Sequence, residues 1–210
     1  MSLSHISKSI YQIDITPPDF LGSLTKDITC DIAVIGGGLT GVSTALSLSE
    51  KGLNVCLFEA GSIGDGGSGR NGGQICQGWS AGFEKLSKYI DPEFQQDMWL
   101  TGIEGPALIK DRIEKYNIDC DVQWGYVHAA IHKGHMRELD DYKRSFEQRG
   151  YSQLTTLPDK SSLFNYICSD AYIGGLYDSG SGHLHPLKYL IGLAKAATKA
   201  GAQIYTNSPI

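Results

Sequence analysis

The chain has 210 residues, enough for one large domain or two small ones, and at that length roughly 70% of the unfolded surface can be buried. Apolar residues make up 41% and charged residues 20%, which excludes a disordered or collagen-like chain. The net charge of −5, from 18 basic and 23 acidic residues, speaks against a nucleic-acid partner, which calls for a basic face.

Residues 1–29 are polar around Pro17-Pro18 and read as an arm that packs on the surface. Met1–Tyr11 lacks the apolar run of a signal peptide, and no stretch approaches the ~20 apolar residues of a membrane span, so the expectation is a cytoplasmic protein with no membrane partner. Asp31–Ile35 (DIAVI) predicts a buried parallel strand. Gly36-Gly37-Gly38 follows, then a helical pattern over Leu39–Lys51 with Val42, Ala45, Leu46 and Ser49 on one face, closed by Gly52. Asn54–Phe58 predicts a second strand, ending at Glu59. Strand, glycine turn, helix and strand make a βαβ unit.

Beyond it, 60–78 is too rich in glycine for regular structure: 13 of the 26 glycines lie between Gly36 and Gly78. A short helix is predicted over 83–90, and over 92–117 one longer helix or two, kinked or split at Gly105-Pro106. Asp121–His132 predicts a strand and 136–149 a charged amphipathic helix, while 151–157 and 171–177 predict strands. Pro186 suits the first turn of a helix running to about Ala200, Gly201 caps it, and Gln203–Thr206 starts a strand. The fold class is α/β, with a Rossmann-like sheet. The boundaries expected are 1–29, 30–80, 81–185 and 186–210.

The chemistry concentrates at Gly36-x-Gly38-x-x-Gly41, placed between strand and helix. Gly36 permits the tight turn, Gly38 lets a pyrophosphate approach the backbone, and Gly41 lets the helix pack close. Free N–H groups and the helix dipole then face the anion. Glu59, 18 residues after Gly41, suits the two hydroxyls of an adenosine ribose and disfavours a 2′-phosphate. A second cluster, Gly66-Gly67-Ser68-Gly69-Arg70-Asn71-Gly72-Gly73-Gln74, offers more N–H groups and one fixed cation, Arg70. An NAD domain would normally proceed here to another helix, so the second loop favours FAD. An NAD-linked dehydrogenase and a non-catalytic nucleotide-binding remnant remain the alternatives.

The five cysteines (Cys30, Cys56, Cys76, Cys120 and Cys168) form no C-x-x-C pair, so neither a disulfide framework nor a zinc site has support, and buried thiols in a reducing compartment are expected. His183 and His185 stand at i, i+2 without a third ligand, which makes a poor metal site and favours a structural or cofactor-lining role. Trp79, Trp99 and Trp124 are expected in the core, with Trp79 the candidate exception. The charges of 136–149 read as a solvated face. Nothing in the sequence indicates an oligomeric state.

The stretches CDIAVIGGGLTGVSTALSLSEKG (Cys30–Gly52) and LFEAGSIGDGGSGRNGGQ (Leu57–Gln74), with IKDRIEKYNIDCD, YIGGLYDSGSGHLHPLKYL and AGAQIYTNSPI, resemble the D-amino-acid-oxidase-like FAD-dependent oxidoreductases. GSGRNGGQ and SGHLHP are the narrower signal, pointing to an amine-oxidising branch. The resemblance implies that Gly36, Gly38 and Gly41 line the pyrophosphate, that Glu59 holds the adenosine ribose, and that Leu39, Thr40 and Ala60 also bind the cofactor. It implies that Ser68, Arg70, Asn71, Gly72, Gly73 and Gln74 run along the cofactor toward the flavin ring, and that a backbone group at Ile210 contacts adenine. Where some relatives carry a flavin-linking histidine this chain has Asn71, so noncovalent FAD is expected. Region 121–177 would be part of an inserted α+β substrate domain, and Gln203–Thr206 would rejoin the cofactor sheet beside the first strand. The implied reaction is amine oxidation by hydride transfer to flavin with dioxygen as acceptor, on a small-molecule amine held neutral by desolvation. Family members continue beyond the position of Ile210, which implies a fragment of a longer enzyme or a truncated product, with little turnover on its own.

Overall fold

The computed structural model describes residues 9–13 and 15–210, so part of the expected arm, 1–8 and 14, lies outside the described residues. Contacts divide the chain into two units. The first comprises the described residues up to Gly73 with Lys110–Val122 and Leu184–Ile210; the second comprises Gln74–Ile109 and Gln123–His183.

The first unit is built on a parallel sheet of β1 (Ile32–Ile35), β2 (Val55–Phe58) and β7 (Gln203–Tyr205), in the order β1-β2-β7. The apolar run of β2 is buried along its whole length, as a central parallel strand requires. Helix α1 (Leu39–Ser49) buries Val42, Ala45, Leu46 and Ser49, the face expected from periodicity. It packs with helix α6 (Pro186–Lys199), whose Leu187, Leu190, Ala194 and Ala197 are fully buried. The end of helix α3 (Gln95–Tyr116) also belongs here: buried Arg112 donates to Ser43 Oγ at 2.7 Å and Ser47 Oγ at 2.8 Å, two hydroxyls one turn apart on α1.

Two expectations change in this unit. The strand at 203–206 pairs with β2, not with β1. β1 is therefore an edge strand rather than a buried one, and leaves Ile32 and Ile35 exposed, Ile35 at 62%. The edge at β7 is treated differently, because Leu21 N–H donates to Ile204 O at 3.1 Å and Thr206 Oγ donates to Asp19 Oδ1 at 2.7 Å.

The second unit is an antiparallel sheet in which β3 (Gln74–Ile75) and β5 (Leu154–Leu157) pair with β6 (Gly174–His183), and β6 pairs with β4 (Gln123–Ala130). Helix α4 (Lys133–Glu147) buries Phe146 against Trp99, Tyr151, Leu154 and Leu176. Short helices α2 (Phe83–Leu86) and α5 (Lys160–Phe164) complete it, and neither α5 nor β3 follows from the sequence pattern.

Helix α3 continues through Pro106 as one element, so the chain is not split there. Proline removes the N–H that would reach Gly102 O, and the N–H of Gly78 donates there instead, at 2.8 Å. The close approach needs glycine at 102, where a Cβ would lie 2.9 Å from Trp79 Nε1 and 3.1 Å from Gly78 Cα. Strand β6 extends past the expected 171–177 through a Ser/Gly stretch. Its glycines fit tight neighbours: a Cβ at Gly182 would lie 2.4 Å from Gln123 O, and one at Gly180 2.3 Å from the Tyr151 hydroxyl.

The centre of β6 carries a buried carboxylate, Asp178, 1% exposed. Its oxygens accept from Tyr151 OH at 2.6 Å, Gly180 N–H at 3.0 Å, Ser181 Oγ at 2.7 Å and the Gln77 side-chain amide. Removing such an acceptor strands several buried donors. Asp178→Ala is expected to lower unfolding stability by about 3 kcal/mol, measured by denaturant titration. His128 on β4 lies against Tyr126 and Tyr142, at ring distances of 4.9 and 5.9 Å, and burial holds its pKa below the ordinary value against the opposing pull of Asp178. The unfolded chain then binds the proton more readily, so this contribution to stability is present above pH ~6.5 and falls away below it. His128→Gln should flatten the acid limb of a stability–pH curve.

Candidate nucleotide-binding site

The site begins where β1 ends. Gly36 leaves the strand at φ +101°, a conformation glycine adopts without penalty, and its N–H donates to Phe58 O at 2.8 Å. Gly38 is the extended N-cap of α1 and supplies no side-chain cap. A Cβ at Gly41 would stand 2.0 Å from Gly36 O, so helix and turn can meet only without one. Gly37, which the spacing pattern leaves free, is confined by side chains rather than backbone: a Cβ there would lie 2.5 Å from Ile63 Cδ1 and 3.0 Å from Glu59 Cβ.

Glu59 turns its carboxylate to this loop. Oε2 accepts from Gly37 N–H at 2.6 Å and Oε1 from Gly61 N–H at 2.9 Å. Its own N–H donates to Tyr205 O and its carbonyl accepts from Ser208 N–H, both at 2.9 Å, so Glu59 is fixed between β7 and the segment after it. Ser68 reaches the same place, accepting from Leu39 N–H on Oγ at 2.9 Å. Among the described residues, the N–H groups of Gly38, Thr40 and Gly41 find no acceptor. Three open donors thus sit at the positive end of α1, beside a carboxylate and a hydroxyl.

The second glycine cluster is an ordered turn. A Cβ at Gly69 would lie 2.1 Å from Gly64 O. Arg70 Nε donates to Asp65 O at 2.8 Å, and among the described residues its guanidinium pairs with no carboxylate. Asn71 is exposed and closes the turn, donating to Ser68 O at 3.0 Å and accepting from Gly73 N–H at 2.8 Å. Gly72 is exposed; Gly73, at φ +69°, lies against Leu184, where a Cβ would stand 2.0 Å from the carbonyl. Gln74 opens β3 opposite His183, in the second unit. Ala60 and Ile210 are exposed, and Ile210 follows the segment hydrogen-bonded to Glu59. The structure therefore gathers Gly36, Gly38, Leu39, Thr40, Gly41, Glu59 and Ser68 at one helix end, with Asn71 serving its own turn.

Other candidates have structural roles. His185 caps α6, accepting Lys188 N–H on Nδ1 at 3.2 Å, and His183 is exposed on β6. Trp99 is in the core, whereas Trp79 and Trp124 are partly exposed, against expectation for Trp124. Cys76 and Cys168 are likewise exposed rather than buried. Burial pushes the Cys56 and Cys120 thiols up to about 11 and raises Cys76, so none of these three is poised as a thiolate. A cavity of about 800 Å³ lies at the far end of α1, around Glu50, Lys115 and Lys195, ~16 Å from the glycine turn by helix length. Lys115 and Lys199 sit in the last turns of α3 and α6, the usual place for cations that offset helix dipoles, and Lys188 pairs with Asp121 at 2.7 Å. No helix of the described residues is long and apolar enough to cross a membrane.

Comparison with known proteins places this geometry. Residues 31–210 match the DAO family, FAD dependent oxidoreductase. The chain is 41% identical over 202 residues to "Probable oxidoreductase OrdL" of Haemophilus influenzae, covering 95% of this chain and 47% of that one. It is 37% identical over 188 residues to gamma-glutamylputrescine oxidoreductase of Escherichia coli, covering 90% and 44%. The L-amino acid deaminase of Proteus myxofaciens shares the fold, with a TM-score of 0.72 at 21% identity over 90% of this chain and 41% of the other. The chain thus spans about half the length of the relatives it matches. The glycine turn, the aimed carboxylate and the match over 31–210 agree: the chain belongs to the DAO family of FAD-dependent oxidoreductases, whose cofactor is FAD.

Proposed function

We propose that this chain forms the FAD-binding half of an oxidoreductase acting on a small amine of the gamma-glutamylputrescine type, in a Rossmann-like cradle and with FAD held noncovalently. The observation that carries the reading is the set of three open N–H groups at Gly38, Thr40 and Gly41, facing the same turn as the Glu59 carboxylate. The 37% identity to gamma-glutamylputrescine oxidoreductase supports the substrate class.

The residues suit the cofactor. The open N–H groups donate to pyrophosphate oxygens, and Ser68, which accepts from Leu39, keeps its O–H as a further donor. Each Glu59 oxygen accepts one N–H and retains a lone pair for a ribose hydroxyl. Arg70 brings a cation with most of its donor fork open, alongside Gly72 and Gly73. Ala60 follows Glu59, and Ile210 lies two residues beyond Ser208, whose N–H donates to the Glu59 carbonyl; we assign both to the adenosine end. When bound, FAD supplies the two-electron chemistry, accepting hydride from the carbon beside the amine nitrogen and passing the electrons to dioxygen. A cytoplasmic location goes with this reading, since all five cysteines are unbridged.

The protein should be isolated yellow, releasing free FAD on acid treatment; a colourless preparation that also fails to bind added FAD refutes the reading. Gly41→Ala should abolish FAD retention and destabilise the fold, because the methyl meets a backbone carbonyl that cannot move aside. Gly38→Ala meets only Ser68 Oγ, at 2.9 Å, so it should fold normally and bind FAD about tenfold more weakly, as measured by flavin fluorescence. Assayed in the whole oxidoreductase of which this is the FAD-binding half, peroxide release should be faster with gamma-glutamylputrescine than with free amino acids, and the reverse order refutes the substrate class.

A further inference from the structure

We propose that the 3-10 turn Ile10–Gln12 is a strap that positions the second glycine loop, with Gln12 as its positioning residue acting through Asp65. The role assigned to the loop rests on the FAD-binding reading above; the strap itself rests on geometry.

Gln12 uses both ends of its amide. Oε1 accepts from Ser9 N–H at 2.9 Å, which closes the turn and sets the orientation, and Nε2 donates to Asp65 Oδ1 at 3.0 Å. Asp65 is the hub of the loop: Oδ2 accepts from Ser62 N–H at 2.8 Å, and its carbonyl accepts from Arg70 Nε at 2.8 Å. Ser9 Oγ adds a direct bond to Gly69 O at 3.2 Å. From the other side, Tyr11 stands edge-on to His185 at 4.8 Å, and His185 caps α6. Leu187 of α6 in turn packs on Gly64, where a Cβ would lie 2.6 Å from Cδ1. The turn thus touches the loop at Asp65 and at Gly69, and the helix beneath it at His185.

The loop needs such a hold. Gly66 and Gly67 are exposed, with nothing within 4 Å of a built Cβ, and glycine loses more freedom on ordering than any other residue. Ser68 and Arg70, the two side chains that address an anion, are carried by this stretch. The strap itself contributes little to the core: Ile10 and Ile13 are 75% and 72% exposed, so it is held by polar contacts and one ring. Its removal should therefore loosen the loop without unfolding the unit.

The test is hydrogen exchange of the backbone amides of 64–72, without FAD, in the unaltered protein, Gln12→Ala, Asp65→Ala and the double variant, with FAD affinity measured in parallel. Gln12→Ala should speed exchange in 64–72 about tenfold, leave the core amides of β2 and α6 unchanged, and weaken FAD binding about three- to tenfold. The double variant should exchange no faster than Asp65→Ala alone, because Gln12 acts through that carboxylate. Gln12→Glu, which keeps the shape but sets two carboxylates together, should behave like Gln12→Ala. Unchanged loop exchange in Gln12→Ala overturns the strap whatever FAD does, and so do additive effects in the double variant. Failure of the unaltered protein to bind FAD refutes the nucleotide reading alone; the exchange data still decide the strap.

Discussion

The first unit is organised by one contact in which a side chain has no place, between Gly41 and the carbonyl of Gly36. That contact brings the first turn of α1 against the end of β1, and the N–H groups of Gly38, Thr40 and Gly41 there have no acceptor among the described residues. Once backbone occupies the inner side, donors at Gly38, Thr40 and Gly41 can be satisfied only from outside. Glu59 then takes Gly37 N–H and leaves the others. The open donors follow from packing geometry before any charged side chain is added, and a net charge of −5 is no obstacle to the anion site proposed for them.

The residues that support this site are mostly small, polar and distant in sequence. Glu59 is held by the segment after β7, Ser68 reaches back to Leu39, and Asp65 is tied to Gln12. This is why the βαβ unit was legible and its supports were not. The strand, helix and carboxylate obey local periodicity and a fixed spacing. Gly37 was invisible because the fingerprint treats its position as variable, although a Cβ there would crowd Ile63 and Glu59. Asp65 and Gln12 had no periodic signal; only Ser62 N–H donating to Asp65 Oδ2 repeats a known short-range pattern.

Elsewhere, legibility failed where a long-range partner replaced a local rule. Pro106 reads as a helix breaker, yet Gly78 N–H takes the freed carbonyl and α3 continues. The Ser/Gly stretch of β6 lies past the expected strand, yet the sheet uses it where neighbouring backbone and Tyr151 approach closely. Helix α4 begins at Lys133, earlier than its charge pattern suggests, because His132 caps it through Nδ1, a residue outside the usual cap set.

The edge position of β1 bears on the same site. Nucleotides bind parallel sheets at the carboxyl ends of strands, in the crevice where the strand order reverses. In the order β1-β2-β7 the glycine turn follows the outermost strand, so one wall of such a crevice, formed by β2 and β7 with Glu59, is present. The other side of β1 carries exposed Ile32 and Ile35 and no strand among the described residues. The groups proposed to meet adenosine and pyrophosphate, Glu59, Ser68 and the three open N–H groups, all lie on that wall or at the turn. On the proposed function, cofactor binding and turnover are therefore separable demands on this fold: the first would draw on the backbone of one glycine turn, the second on whatever covers the flavin ring.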